Sequence, residues 1–145
     1  MLGIFLSKNQ KLVKKWEKEH EDIVVLATNI IGNYSKNKLK EAKKDLKKLN
    51  DLAVNHVLNE DIEFYKLLKD QKRITSKNKE AINDFTKSFK NTKMDLMLFL
   101  NQYSKNEIEL DDVFFKDFND LVEVLSERIS FEEENLYTLL YTEKR

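Results

Sequence analysis

Cysteine is absent from the 145 residues, which excludes disulfides, thiolate metal ligands and a thiol nucleophile and leaves the redox compartment open. Proline is absent too, and glycine occurs only at Gly3 and Gly32. Helix breakers are therefore missing, and turns that need a positive φ are scarce. No charge of one sign prevails, because 26 Lys and Arg balance 26 Asp and Glu. A strongly basic face is not implied, and nucleic acid is not an expected partner. No run is apolar and long enough to span a membrane. The apolar opening, residues 1–6, is too short for the hydrophobic part of a signal peptide and has no basic start. A cytoplasmic location without a membrane partner is the expectation. Gly-rich phosphate loops, a nucleophile elbow and a Ser/His/Asp arrangement are also missing, so the chain is not expected to be an enzyme.

What is present is helical periodicity. The length suits a single domain over 1–145, able to bury about two thirds of its unfolded surface. Ser7 and Gln10 have the form of a capping box, and Leu12, Trp16, Ile23, Ala27 and Ile30 follow at helical spacing to about Tyr34. Ser35, Lys36 and Asn37 turn the chain. Leu46, Leu49, Ala53, Phe64 and Leu67 carry a second helix to about Leu68. The charged, unpatterned segment 69–78 reads as a connection. A third helix is predicted over about 79–103, with Ile82, Phe85, Phe89, Leu96 and Leu100 inward. After Ser104, Lys105 and Asn106, a fourth helix carries Phe114, Phe118, Leu121, Leu125, Leu136 and Leu139. The lysines of 36–48 alternate with Glu41 and Asp45 and read as a solvated face.

The halves resemble each other. Asn33-Tyr34-Ser35-Lys36-Asn37 returns as Gln102-Tyr103-Ser104-Lys105-Asn106, and Glu60-Asp61 with Tyr65 and Leu67-Leu68 returns as Glu132-Glu133 with Tyr137 and Leu139-Leu140. Two helix-pair repeats, about 8–68 and 79–142, pack most simply as an all-α, antiparallel up-down-up-down four-helix bundle.

Few strongly polar residues fall on the apolar stripes. His20 lies between Trp16 and Ile23. His56 and Glu60 lie one helical turn apart between Ala53 and Phe64, and Arg128 and Glu132 interrupt the last stripe between Leu125 and Leu136. Buried ionisable groups are costly unless they pair or hold an ion, so five of them on facing stripes mark the place where chemistry is expected.

His20, followed by His56-Val57-Leu58-Asn59-Glu60-Asp61 and Phe64-Tyr65-Lys66-Leu67-Leu68, resembles the hemerythrin-like (HHE cation-binding) family, with a degenerate echo in Arg128-Ile129-Ser130-Phe131-Glu132-Glu133. The resemblance covers nearly the whole chain. It implies a four-helix bundle holding a non-haem metal site and acting in oxygen-related or metal binding or sensing. His20, His56 and Glu60 match ligands, and Glu132 or Glu133 matches the last carboxylate. Phe85 and Phe89 stand where the family places histidines, and Arg128, a permanent cation, stands where another is due. The set that remains implies one iron, manganese or zinc ion and not a full di-iron centre. The same residues also permit a metal-free network in which Arg128 bridges Glu60 and Glu132. A weaker resemblance, through Lys11-Leu12-Val13 with Trp16, residues 29–32 and Arg128, is to the regulator of sigma D/AlgQ family. It implies a metal-free regulator whose partner is a sigma factor.

Overall fold

Tight turns need special backbone, and the first one obtains it without glycine. The computed structural model describes residues 8–69 and 75–138. Helix α1 (Lys8–Ser35) is followed by α2 (Leu39–Lys69) across a three-residue turn. Asn37 takes a left-handed conformation with φ 61°. Its N–H donates to the carbonyl of Tyr34 at 2.9 Å, and that of Lys38 donates to Asn33 at 2.7 Å. This is the paired bonding that closes a helix C-terminus, with asparagine in the place more often held by glycine.

The chain continues through α3 (Ser76–Ser88), α4 (Lys90–Tyr103) and α5 (Asp112–Phe131), which runs directly into a π-helical turn (Glu132–Leu136). Every described element is helical, and none is long and apolar enough to cross a membrane. Three expectations are corrected. The third helix starts at Ser76, where the Thr75 hydroxyl accepts from the Asn78 N–H at 3.1 Å. It is also interrupted at Phe89, whose φ and ψ are −106° and 9°. The Thr86 hydroxyl donates back to the Ile82 carbonyl at 2.9 Å just before the break, a bond that bends helices. The last helix is not regular α throughout. The Ser7 cap, residues 1–6, Leu139 and Leu140 lie outside the described residues.

Lys43 is not part of a solvated lysine face. Its ammonium donates to the carbonyls of Tyr103, Lys105 and Ile108 at 2.6, 2.6 and 2.5 Å, tying α2 to the end of α4. Burial lowers its pKa, with Lys47 adding to the effect. The two tyrosines of the repeated turn motif meet at this end of the molecule, where Tyr34 and Tyr103 both pack on Phe114.

At the start of α5 the Asp111 carboxylate accepts from the Phe114 N–H at 2.9 Å. Asp111→Ala is expected to cost about 1 kcal/mol by leaving that N–H without its cap, read as a lower urea midpoint at unchanged slope.

The apolar core has two parts. One gathers Ile23, Ala27, Ile30, Leu46, Leu49, Leu96, Leu100, Phe114, Phe118 and Leu125. The other gathers Val13, Trp16, Phe64, Leu67, Ile82, Phe85, Leu136 and Tyr137. Along α1 the second part comes first, along α2 the first part does, and the order alternates again through α3 with α4 and through α5. Between the two parts lie the buried polar residues.

Candidate metal centre

His20 on α1, His56 and Glu60 on α2, Arg128 on α5 and Glu132 in the π turn are all buried, between 0 and 4 % exposed. Each follows its helix's inward stripe. The ligand atoms of His20, His56, Glu60 and Glu132 lie within 4.8 Å of one another.

The two imidazoles are held in the same way. His20 Nδ1 bonds Glu133 Oε2 at 2.7 Å, and His56 Nδ1 bonds Glu19 Oε1 at 2.7 Å. Those carboxylates only accept, so both Nδ1 atoms carry the proton and both Nε2 atoms are left to face inward. There they stand 2.9 Å apart. His20 Nε2 is also 2.9 Å from Glu132 Oε1, and His56 Nε2 is 3.3 Å from Glu60 Oε2 and 3.7 Å from Glu132 Oε1. Lone pairs at such distances repel unless a proton or a metal ion lies among them.

Arg128 closes one side. Its Nε donates to Glu132 Oε2 at 2.8 Å, and its Nη2 lies 3.6 Å from Glu60 Oε1, too long for a hydrogen bond. Glu60 Oε1 is accordingly buried without a hydrogen-bond partner. The guanidinium lies over the rings of Phe85 and Phe89, 5.1 and 5.8 Å from their centroids. Only about 30 Å³ of space remains beside these three residues, room for about one water. The positions where the family resemblance requires further histidines are thus filled by a cation and the aromatic faces that support it.

Two participants, Tyr137 and Glu19, are not among the residues singled out from the sequence, and a third, Glu133, takes another role than the one considered for it. Tyr137 is 1 % exposed, and its hydroxyl donates to Glu60 Oε2 while lying 3.1 Å from His20 Nε2 and 3.3 Å from Glu132 Oε1. On a regular α-helix it would point about 140° away from Glu132. The wider π turn brings both to the same side, and such turns often occur at functional sites. Its counterpart in the first repeat, Tyr65, is 58 % exposed and gives no hint of this role. Glu19 orients His56 from outside. Glu133, weighed as an alternative inward carboxylate, sits outside and orients His20, while Glu132 lies within. Trp16 forms a wall, edge-on to His56 and tilted on Tyr137.

Burial pulls the His56 imidazolium down, but the nearby Glu132 and Glu60 carboxylates and the hydrogen bond to Glu19 outweigh it and raise the pKa to about 10. His20 is likewise lowered by burial and raised, on balance, by Glu132 and Glu133. Burial and the neighbouring Glu132 charge push Glu60 up to about 7. Burial also acts to raise Glu132, but the hydrogen bond from His20, the nearby His56 and the Arg128 charge hold it well below the usual range. Burial and the two carboxylates raise Tyr137.

These shifts fix a pH dependence. The His56 contribution to metal-free stability is complete below its ordinary 6.5 and is lost as pH rises through about 10. Glu60 acts in the same direction between its ordinary 4.5 and about 7, whereas the Glu132 contribution is present above 4.5 and lost on acidification. Metal-free protein is expected to be most stable near pH 5 and to melt roughly 5–10 °C lower at pH 10 than at pH 6.5. A flat thermal profile over that interval would contradict the assigned proton positions.

Comparison with protein-family models, curated proteins and solved structures found no match for this chain.

Proposed function

We propose that the chain is a hemerythrin-like, antiparallel up-down-up-down four-helix bundle whose interior polar layer binds one transition-metal ion, as a metal- or oxygen-related binding or sensing protein. The alternating order of the two core parts along successive helices supports the up-down arrangement.

One observation carries the metal assignment. Two histidines from different helices each commit Nδ1 to a carboxylate and turn Nε2 toward the same interior point, where two buried carboxylates also converge. A carboxylate behind each imidazole is the arrangement that fixes tautomer and ring orientation at metal sites. Donor atoms about 2.1 Å from a single ion stand about 3.0–3.4 Å from one another. The inward separations of 2.9 to 3.7 Å fall close to that. Metal binding at such ligands displaces protons from them, so affinity is expected to fall on acidification.

His20, His56, Glu60 and Glu132 hold the ion, and Arg128 limits the site to one by neutralising Glu132 and filling the adjoining space. Two imidazoles with carboxylates suit iron, manganese or zinc. Iron in that position supplies a redox-variable centre able to report oxygen or redox state.

The test is direct: protein stripped of metal, then offered ferrous iron, manganese or zinc in turn, is analysed for bound metal after desalting. One ion per chain for at least one of the three is expected, and traces with all three would overturn the proposal.

A metal-free interaction protein, of the anti-sigma-factor type, has a separate observation in its favour. The bonds of Arg128 to Glu132 and of both histidines to carboxylates already form a connected network. Apolar side chains also stand exposed, among them Val25, Ile62 and Leu98 at 56, 52 and 66 %. Binding to a primary sigma factor, titrated by fluorescence anisotropy, decides it, and absence of a complex at micromolar concentrations removes it.

A further inference from the structure

The hydroxyl of Tyr137 occupies the same small volume as the histidine and carboxylate ligand atoms. It lies 3.1 Å from His20 Nε2 and 3.3 Å from Glu132 Oε1, and it donates to Glu60 Oε2. Those separations suit neighbours in one coordination shell, and the hydroxyl meets His20 at its inward Nε2, whereas Glu133 bonds the outward Nδ1. The ring is fully packed: stacked on His20 with centroids 5.5 Å apart and an interplanar angle of 14°, and backed by Trp16 at 5.4 Å. It is 1 % exposed and held between these two rings. Its place depends on the π turn, a local departure from regular helix that sets this oxygen beside Glu132.

We propose that Tyr137 is itself a metal ligand, binding through its phenolate oxygen, and that the site is thereby built for ferric iron. This rests on the metal-site reading above and adds a ligand and an oxidation state to it. Two carboxylates and a phenolate form a hard, anionic oxygen set that favours a trivalent ion over a divalent one. One iron–oxygen bond forms to the phenolate as its O–H breaks. The proton, held in the metal-free protein by the hydrogen bond to Glu60, is released to solvent water, and no electron is transferred. The Glu60 oxygen without a hydrogen bond, Oε1, remains as a further donor within the same layer.

The test uses the full chain, loaded with ferric iron from a weak chelate and desalted. Iron content, visible absorption and resonance Raman spectra are then measured. The expected result is one iron per chain with a phenolate-to-iron charge-transfer band and enhanced tyrosine ring modes. In Tyr137→Phe, which keeps the ring packing, iron is expected to stay bound at half occupancy or more while the band and modes vanish. Iron bound to the native chain without the band overturns the tyrosine assignment and leaves the four-residue site standing. A band that survives in Tyr137→Phe overturns it too, by assigning the colour to another tyrosine. Failure of the native chain to bind iron, manganese or zinc overturns both.

Discussion

Replacing Glu132 by leucine is expected to lower the melting temperature of the metal-free protein by roughly 10–15 °C, the result of losing about 3–5 kcal/mol. Glu132 receives the Arg128 Nε–H at 2.8 Å and lies against both histidine Nε2 atoms. Without it the guanidinium, 4 % exposed, keeps only the distant Glu60 oxygen at 3.6 Å and the faces of Phe85 and Phe89. The cost is that of stranding a buried charge more than that of a lost bond. Adding Arg128→Leu should therefore return part of the loss, because the stranded charge goes with it. A Glu132→Leu shift smaller than about 2 °C would mean that the pair is not desolvated as described.

His56→Ala is expected to weaken metal binding at least about 100-fold, and Glu19→Gln by about 10- to 100-fold. His56 supplies an inward nitrogen, so its loss removes a ligand. Glu19 supplies none. It holds the His56 Nδ1 proton at 2.7 Å and thereby aims Nε2 at the point where His20 Nε2 also lies. The amide oxygen introduced by Glu19→Gln can still accept that hydrogen bond but without the charge that raises the basicity of the ring. The measurement is competition with a chelator of known affinity, after circular dichroism has shown each variant helical. Equal affinities for Glu19→Gln and the native chain would show that the carboxylate does not tune the ring.

Much of the candidate site was legible in the sequence because helices translate spacing into direction. His56 and Glu60, four apart, share a face wherever the segment is helical, as do Arg128 and Glu132. Their position on stripes that otherwise read Ala53, Phe64, Leu125 and Leu136 marked them as buried, and all four are. His20 followed from the same logic on α1.

The rest failed for identifiable reasons. Tyr137 was hidden because its inward direction depends on a π turn, which no apolar period announces, and its repeat partner Tyr65 faces water. Glu19 and Glu133 stand on the edges of their stripes and bond histidines on other helices, a relation that spacing along one helix does not carry. The break at Phe89 was masked by an apolar pattern that continues across it, from Phe85 to Leu96.

By itself, the sequence determined the helical class, the extent of the stripes and which polar residues would be taken out of water. Those follow from local propensity and periodic burial, both of which act along the chain. Only the tertiary structure decided that two imidazole nitrogens stand 2.9 Å apart, that a guanidinium fills the adjoining space and that a tyrosine hydroxyl joins them. Such convergence depends on how separate helices are set against one another, and that is fixed by packing, not by the order of residues within any one of them.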